Sequence, residues 1–354
     1  MRIQIEDIQK DMIIDEDVYS NQGNLIVGRG FSVSNAMILK NLLRQHKVDK
    51  VKVLTLSEEV AQPSPQEKIE QEIVDFKLEF HDTVSTIENE ISSILSGEIQ
   101  EEKLNNLVKS SLNMQSGTTL NIFQMMQKVK DSDDVTYSHC YSVSLSAYAI
   151  GKWLKLSEEE LKELTLSAIL ADAGKASVPK EILMKKGFLT EQELSEMKKH
   201  VQYSYDMLDN YPISKKVKDA IRYHHEREDG SGYPEGLKGD KIPYYAKIIA
   251  IADVYTALTS KRPQREKLTP FEALKIMERD FMDKLDVTIL TEFLKRIAEN
   301  YIGNPVKLND DTIGEIVFLS VHKLSRPVIK TTQGDKLIDL GNKENAGLEI
   351  VEFL

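Results

Sequence analysis

The pattern of apolar and polar positions divides the chain into a β-containing beginning, a helical middle and a β-containing end. Near the N-terminus, the stretches MRIQI and DMIIDEDVY alternate apolar and polar residues, as half-buried strands do. A turn at 21–23 separates them from an apolar stretch at 24–27, and a helical pattern follows over 34–46. The stretch VDKVKVLTL then predicts a closing strand. The sequence therefore predicts a small α+β module over residues 1–56.

Residues 57–117 are predicted to hold a linker followed by one long helix. Pro63 and Pro65 mark the linker. Beyond them, apolar residues recur every three or four positions, which is the spacing of a single stripe along a helix. This stripe consists of Ile69, Ile73, Phe76, Phe80, Val84, Ile87, Ile91 and Ile94. Such a stripe usually packs on the helix's own domain, and a homodimer formed by two of these helices is the alternative.

Helical periodicity dominates from 118 to 303, and strand patterns return after it. Capping boxes of the form Ser/Thr-x-x-Glu at 157–160 and 190–193 predict two helix starts. The later stretches TIGEIVFLSV, RPVIKTT and KLIDL alternate like strands. The predicted fold class is therefore mostly α, with a helical domain over 118–303 and a β module over 304–354.

Composition and charge narrow the class of protein. The chain is 41% hydrophobic and 29% charged, as folded globular domains are, and its net charge of −11 argues against binding a DNA or RNA polymer. The single cysteine, Cys140, excludes an intrachain disulfide and fits a reducing compartment. No apolar run approaches the ~18 residues that cross a bilayer, and the N-terminus lacks a signal-peptide pattern. We therefore expect a cytoplasmic protein without membrane insertion.

Residues that carry metal chemistry concentrate in the helical region. The string HHEREDGSGYP begins with His224 and His225, and adjacent helical histidines point about 100° apart, so they can serve neighbouring metal ions. Glycines in the string permit unusual backbone conformations, and Tyr233 with Pro234 fixes the loop. A lone helical histidine is usually structural, as we expect for His46, His81 and His322. The candidate metal ligands of the helical region are His139, Asp172, His200, His224, His225 and Asp253.

This string, with a histidine upstream and an aspartate downstream, resembles the HD-GYP family of cyclic di-GMP phosphodiesterases. The resemblance covers about residues 130–300. Further matching stretches, in order, are 136–139, 172–175, 178–179, 189–193, His200, 252–254 and 257–259. The resemblance implies an HD-GYP helical bundle core with small N-terminal α+β and C-terminal β accessory modules.

The resemblance also implies two divalent metal ions, with iron or manganese usual in the family and zinc compatible with the ligand types. One ion would be held by His139, Asp172 and Asp253. Asp172 would bridge to a second ion, held with His200 and His224. His225 would face the second ion or a third.

The same resemblance implies a set of residues around cyclic di-GMP. Lys175 would offset phosphate charge beside Asp172, and Tyr233 would pack against the ligand. Arg262 and Arg265 would grip the second phosphate, because a guanidinium fork matches phosphate geometry. Taken alone, the arginine pair fits a solvated turn equally well.

One departure from the family pattern affects the metal site directly. Ala171 stands where the family has the histidine of its His-Asp pair, and a methyl group cannot bind a metal. Three protein ligands and water still suffice for a catalytic site, but we expect metal affinity to fall by ~10- to 100-fold or more. The milder departures are Ser204 for a glycine, Thr256 for an aspartate, Gln264 for a tyrosine, and Val135 for the glutamate of three-metal members. The last argues against a third metal.

Two hypotheses of function follow from these patterns. The first is a metal-dependent phosphodiesterase that hydrolyses cyclic di-GMP at a rate impaired by the loss of one histidine ligand. The second is a catalytically degenerate module that binds cyclic di-GMP or a signalling protein partner without cleavage, and Ala171 and Thr256 motivate it. A third hypothesis, an HD phosphohydrolase acting on another nucleotide, fits the GYP loop less well.

Overall fold

The computed structural model describes residues 2–20, 25–54, 65–96, 105–106, 108–109, 121–129, 135–185, 187–208, 211–260, 267–320 and 323–354. The helices are Ala36–Gln45 (α1), Pro65–Leu95 (α2), Ile122–Lys128 (α3), Val135–Trp153 (α4), Glu158–Leu170 (α5), Lys180–Leu183 (α6), Glu191–Lys198 (α7), His200–Asp206 (α8), Lys215–Tyr223 (α9), Tyr244–Thr259 (α10), Pro270–Asp280 (α11) and Val287–Glu299 (α12). The strands are Arg2–Gln4 (β1), Ile13–Ile14 (β2), Val18–Tyr19 (β3), Leu25–Val27 (β4), Lys50–Leu54 (β5), Pro305–Leu308 (β6), Ile313–Ser320 (β7), Lys323–Thr331 (β8), Leu337–Asp339 (β9) and Ile350–Phe353 (β10). The mostly helical fold class with β elements near both ends is confirmed. The turn predicted at 21–23, the linker residue Pro63 and His322 lie outside the described residues.

The chain divides into two compact units, each described by itself. The first contains residues 1–86 and 113–129, and the second contains residues 87–112 and 130–354. In the first unit, β5 lies between β1 and β2 in an antiparallel sheet, and β3 pairs with β4. The strand alternation places Val51 and Val53 in a hydrophobic core. Val74 and Leu78 of α2 pack against this core.

Six of the eight residues in the apolar stripe of α2 are buried within the chain, and Ile69 and Ile73 are partly buried. In the first unit, Phe76, Phe80 and Val84 are at most 5% exposed. In the second unit, Ile87, Ile91 and Ile94 are at most 3% exposed. This burial is what the packing of the helix on its own chain predicts.

The second unit is built on helices that pack around α4, α5 and α10. The predicted capping boxes are present at the start of α5 and α7, where Ser157 and Thr190 each accept a hydrogen bond from the backbone N–H three residues later. Large side chains such as Tyr141 and Tyr255 are fully buried in this unit. The packed helices give a rigid frame for the polar residues that several of them carry.

An antiparallel sheet of order β10–β6–β7–β8–β9 follows the helices. Its strands β7, β8 and β9 coincide with the three strand patterns in the sequence. The sheet lies against α11 and α12, where Phe353 stacks on Phe271 with 6.1 Å between ring centroids and meets Tyr301 at 4.8 Å. None of the helices described above has the length and hydrophobicity that a membrane span requires.

Candidate metal centre

The structure brings the six candidate ligands together from five places in the second unit. They are His139 in α4, Asp172 just after α5, His200 at the start of α8, His224 and His225 just after α9, and Asp253 in α10. Ligand atoms of Asp172, His200, His224 and His225 all lie within 4.8 Å of one another, and so do those of His139, Asp172 and Asp253. Asp172 belongs to both sets. The arrangement is therefore two adjacent ligand sets that share one carboxylate.

Each oxygen of Asp172 faces a different set. Oδ1 lies 3.1 Å from His200 Nε2 and 3.7 Å from His224 Nε2. Oδ2 lies 3.6 Å from His139 Nε2, which is hydrogen-bonded to Asp253 Oδ1 at 2.9 Å. The second oxygen of Asp253 is 3.8 Å from His225 Nδ1.

Backbone carbonyls fix two of the imidazoles. His200 Nδ1 donates to Met197 O and His224 Nδ1 donates to Ile221 O, both at 2.8 Å. Because a carbonyl oxygen only accepts, each Nδ1 carries a proton, and Nε2 is the ring nitrogen that faces Asp172. Outer hydrogen bonds of this kind commonly orient histidine ligands of metals.

The donor atoms fit a divalent cation. Among the described residues, Asp172 Oδ1, His200 Nε2 and His224 Nε2 are buried without a hydrogen-bond partner. A buried polar atom without a partner costs free energy, and a cation between these lone pairs would remove that cost. Imidazole nitrogen and carboxylate oxygen suit iron, manganese or zinc.

The local electrostatics keep the ligands in the protonation states that metal binding needs. Burial alone would raise the pKa of Asp172, but the Lys175 ammonium 2.7 Å away holds that pKa well below its usual range. Burial places the pKa of His225 well below its ordinary value. Asp172 is therefore a carboxylate and His225 a neutral imidazole near neutral pH.

Lys175, predicted as a catalytic residue, and Tyr233, predicted to bind substrate, lie beside the ligands. Lys175 Nζ is 2.7 Å from Asp172 Oδ2, and although burial alone would lower its pKa, the carboxylates of Asp172 and Asp253 raise it. The ring of Tyr233 stacks on His225 with 4.8 Å between centroids. Arg262 and Arg265, like Gln264 between them, lie outside the described residues.

A buried carboxylate that sequence reasoning missed holds the loop after the paired histidines. Glu226 is 2% exposed, and its side chain accepts hydrogen bonds from the backbone N–H groups of Glu235 at 2.8 Å, Gly236 at 3.1 Å and Leu237 at 2.9 Å. Tyr233 N also donates to His225 O at 3.2 Å. Glu226 therefore fixes the loop that carries Tyr233. Its position after the histidines was the only signal in the sequence.

Glu226→Gln tests this anchoring role. A glutamine keeps the shape but turns an amide N–H₂ towards backbone donors, so we expect the free energy of unfolding to fall by about 1–3 kcal/mol and metal affinity to fall by ~10- to 100-fold. Urea denaturation and metal analysis would measure the two effects. Glu344→Gln, at an exposed position, is the control. An anchored loop is contradicted if the two variants behave alike.

The structure also explains two of the departures from the family pattern. Ser204 Oγ donates to Ala171 O at 2.8 Å and accepts from Gly174 N at 2.7 Å, so it ties the turn around Asp172 to α8. Thr256 is buried and its hydroxyl lies 3.5 Å from Ser146 Oγ. Ala171 is itself buried, at 3% exposure. The contacts of Ser204 and Thr256 give these two replacements packing roles.

Comparisons with known proteins show the family of the helical region. The HD domain family matches residues 112–289, about half of the chain. The chain is 33% identical over 211 residues to the cyclic di-GMP phosphodiesterase PA4108 of Pseudomonas aeruginosa, covering 59% of this chain and 51% of that protein. It is 40% identical over 154 residues to the cyclic di-GMP phosphodiesterase response regulator RpfG of Xanthomonas campestris, covering 43% and 40%.

Some relatives are named for a nucleotide other than cyclic di-GMP. A 3'3'-cGAMP-specific phosphodiesterase of Vibrio cholerae is 34% identical over 187 residues, covering 51% of this chain and 43% of that protein. The chain therefore spans about half the length, or less, of these curated relatives.

A solved structure extends the likeness in fold. Bd1817, an HDG"Y"P protein from Bdellovibrio bacteriovorus, matches with a TM-score of 0.50 and 18% identity, covering 83% of this chain and 97% of that one. At this identity the match shows a shared fold. The family match over the helical region leads to one conclusion: this chain belongs to the HD domain family, although Ala171 stands where the sequence resemblance expects the histidine of a His-Asp pair.

Proposed function

We propose that this chain is a metal-dependent phosphodiesterase that hydrolyses cyclic di-GMP at a two-metal centre around Asp172. The observation that carries the proposal is the shared carboxylate: Asp172 lies in both ligand sets, beside buried donor atoms that lack hydrogen-bond partners among the described residues. Relatives named as cyclic di-GMP phosphodiesterases support the substrate. Iron or manganese is the metal that we propose.

The residues have distinct roles in this proposal. Bound metals would supply a water of lowered pKa and a clamp on the attacking and leaving oxygens. His200 and His224, held by backbone carbonyls, would orient one ligand set, and His139 and Asp253 would complete the other. His225 would stay neutral and add a further nitrogen.

The substrate would be held by residues at the edge of the ligand sets. Lys175, already 2.7 Å from Asp172, would offset phosphate charge. Tyr233, stacked on His225, would pack against a guanine base. Arg262 and Arg265 keep their predicted role at the second phosphate, on sequence resemblance alone.

A second candidate function rests on Ala171. The set of His139, Asp172 and Asp253 lacks the imidazole that the family supplies at 171, and the alanine methyl is buried. In a degenerate sensor, the site would bind cyclic di-GMP without cleaving it and report to a signalling protein. The retained ligand geometry favours the enzyme over the sensor.

Ala171→His separates the two candidates. The wild-type protein, loaded with iron or manganese, is expected to hold two metals and cleave cyclic di-GMP slowly. The histidine should tighten binding of the weaker metal by ~10- to 100-fold and raise the rate. Metal analysis and chromatography of cyclic di-GMP would measure these effects, with Ala171→Leu as a control for side-chain volume. A wild type that binds the nucleotide but cleaves it only after Ala171→His would establish the sensor instead.

We also propose a cytoplasmic location, since a single cysteine fits a reducing compartment. A homodimer and a signalling protein partner stay predictions. The burial of the α2 stripe within the chain gives the dimer no support.

A further inference from the structure

A cleft of about 600 Å³ lies between helices α11 and α12 and the C-terminal sheet. Its charged lining residues are Lys275, Glu278, Arg279, Lys323, Arg326 and Lys343. Five of these six side chains are cations, on a protein whose net charge is −11. A concave surface with this local charge concentrates anions.

The one carboxylate in the lining already accepts hydrogen bonds from the sheet. Glu278 accepts hydrogen bonds from the backbone N–H of Leu324 at 2.9 Å and from both the N–H and the hydroxyl of Ser325. These bonds hold β8 against α11, and an ion pair of 2.5 Å between Lys275 and Glu349 adds a second link. Both walls of the cleft are therefore fixed before any ligand binds, which lowers the entropy cost of binding.

Three of the cations, Lys323, Arg326 and Lys343, have no acidic partner within the described part of the chain, and Lys323 Nζ donates to Gly341 O at 3.2 Å. Arg326 is half-buried and donates from Nε to Leu340 O at 2.7 Å and from Nη2 to Asn345 O at 2.9 Å. These carbonyls position its guanidinium and supply no negative charge to pair with it. Lys343 is exposed, and no hydrogen bond or ion pair of its ammonium group occurs in the described residues. Arg279 adds an exposed cation from α11, whose Nε and Nη2 donate to the two carboxylate oxygens of its neighbour Asp280 at 2.7 and 2.6 Å.

The cleft also offers apolar surface. Met282, Leu294, Leu340 and Ala346 lie among its lining residues. Pockets of about 300–1,000 Å³ with apolar walls and a few convergent polar groups typically bind small organic ligands. The combination fits a ligand with a ring system at one end and an anion at the other.

We propose that this cleft binds a small phosphate-bearing ligand of nucleotide size, with Arg326 and Lys343 on the sheet side and Arg279 on the helix side contacting the phosphate. A guanidinium fork matches phosphate oxygens bidentately, and lysines add charge without strict geometry. This site is separate from the metal centre, and it shares no residue with the proposed phosphodiesterase machinery.

Calorimetric titration of the full chain with guanosine monophosphate, guanosine and pyrophosphate tests the proposal. Guanosine monophosphate is expected to bind and guanosine to bind much more weakly, since the phosphate provides the charged contacts. Comparing the affinities for pyrophosphate and for guanosine monophosphate shows whether an inorganic anion or a nucleotide binds better. Binding of either one supports recognition of phosphate. Hydrogen exchange should show protection of residues 323–346 when the ligand binds.

The variant Arg279→Glu/Lys343→Glu reverses one charge on each wall and removes no hydrogen bond to the sheet backbone. It should weaken binding by at least about tenfold, because charge-assisted contacts are lost. Lys330→Glu/Lys336→Glu changes the net charge equally at exposed positions of the same module outside the cleft, and should bind as the wild type does. Thermal unfolding would check that both variants fold.

The outcomes are decisive in both directions. Loss of phosphate binding in the cleft variant alone supports the site. Equal binding by the two variants, or protection confined to the paired histidines and the loop after them, would assign the phosphate to the metal centre and overturn the proposal. Absence of binding by the wild type would overturn it as well, while leaving the phosphodiesterase proposal untouched.

Discussion

Asp172→Asn is expected to reduce cyclic di-GMP hydrolysis by more than about a hundredfold, because losses in outer-shell partners of metal ligands already cost ~10- to 100-fold. Asp172 is the residue that both ligand sets share, with one oxygen facing His200 and the other facing His139. Asparagine keeps the shape but removes the negative charge and one of the two acceptor oxygens. Both metals should therefore bind more weakly.

Metal analysis and chromatography of cyclic di-GMP would measure this result, with Asp240→Asn at an exposed turn position as the matched control. The fold should persist, because the substitution removes a buried charge without adding volume. Lys175 loses its 2.7 Å partner and should titrate at lower pH. If Asp172→Asn retained two metals and the wild-type rate, the shared carboxylate would not be the centre of the site.

The candidate ligands could be predicted because several histidines and aspartates in one helical region indicate a metal site. His139, His200 and the pair His224–His225 lie far apart in the chain, and only the resemblance to the family predicted that they converge. The structure adds what the pattern does not encode: which oxygen of Asp172 faces which imidazole, and that backbone carbonyls accept hydrogen bonds from Nδ1 of His200 and His224. Tautomers depend on tertiary neighbours, which a one-dimensional pattern does not contain.

Helix starts and long strands were predictable for local reasons. The capping boxes at 157–160 and 190–193 are satisfied within four residues of sequence, so no tertiary information is needed. The strands β6 and β10 were missed, because they pair with each other across most of the C-terminal module and local sequence does not show that pairing.

Glu226 and Ser204 show the limit of reasoning from departures and motifs. Ser204 was noted only as a replacement of glycine, yet its hydroxyl bridges Ala171 O and Gly174 N. Glu226 was one acid in a charged string, yet it is buried and accepts three backbone N–H groups. Both roles depend on the burial of the side chain. Because polar residues are mostly exposed, the residue type alone does not predict that burial.

Gly232→Ala is expected to destabilise the fold by about 1–3 kcal/mol, as overpacking of a filled site does, and to weaken metal binding at the same time. A Cβ on Gly232 would lie 2.4 Å from Glu226 Cα and 2.5 Å from both Arg227 N and His225 O. All three are backbone atoms, which cannot rotate away as a side chain can. The backbone of His225 or of the loop must therefore move.

The coupling of the two effects distinguishes this steric mechanism from a general loss of stability. His225 lies in one ligand set and its carbonyl accepts from Tyr233 N, so a displaced backbone moves a metal ligand and the loop together. Gly347→Ala is the matched control, because no neighbouring atom lies within 4 Å of a Cβ built there. Urea denaturation and metal analysis on both variants would show whether metal content falls only in Gly232→Ala. Equal behaviour of the two alanines would mean that the close approach of the loop to the paired histidines does not hold the site.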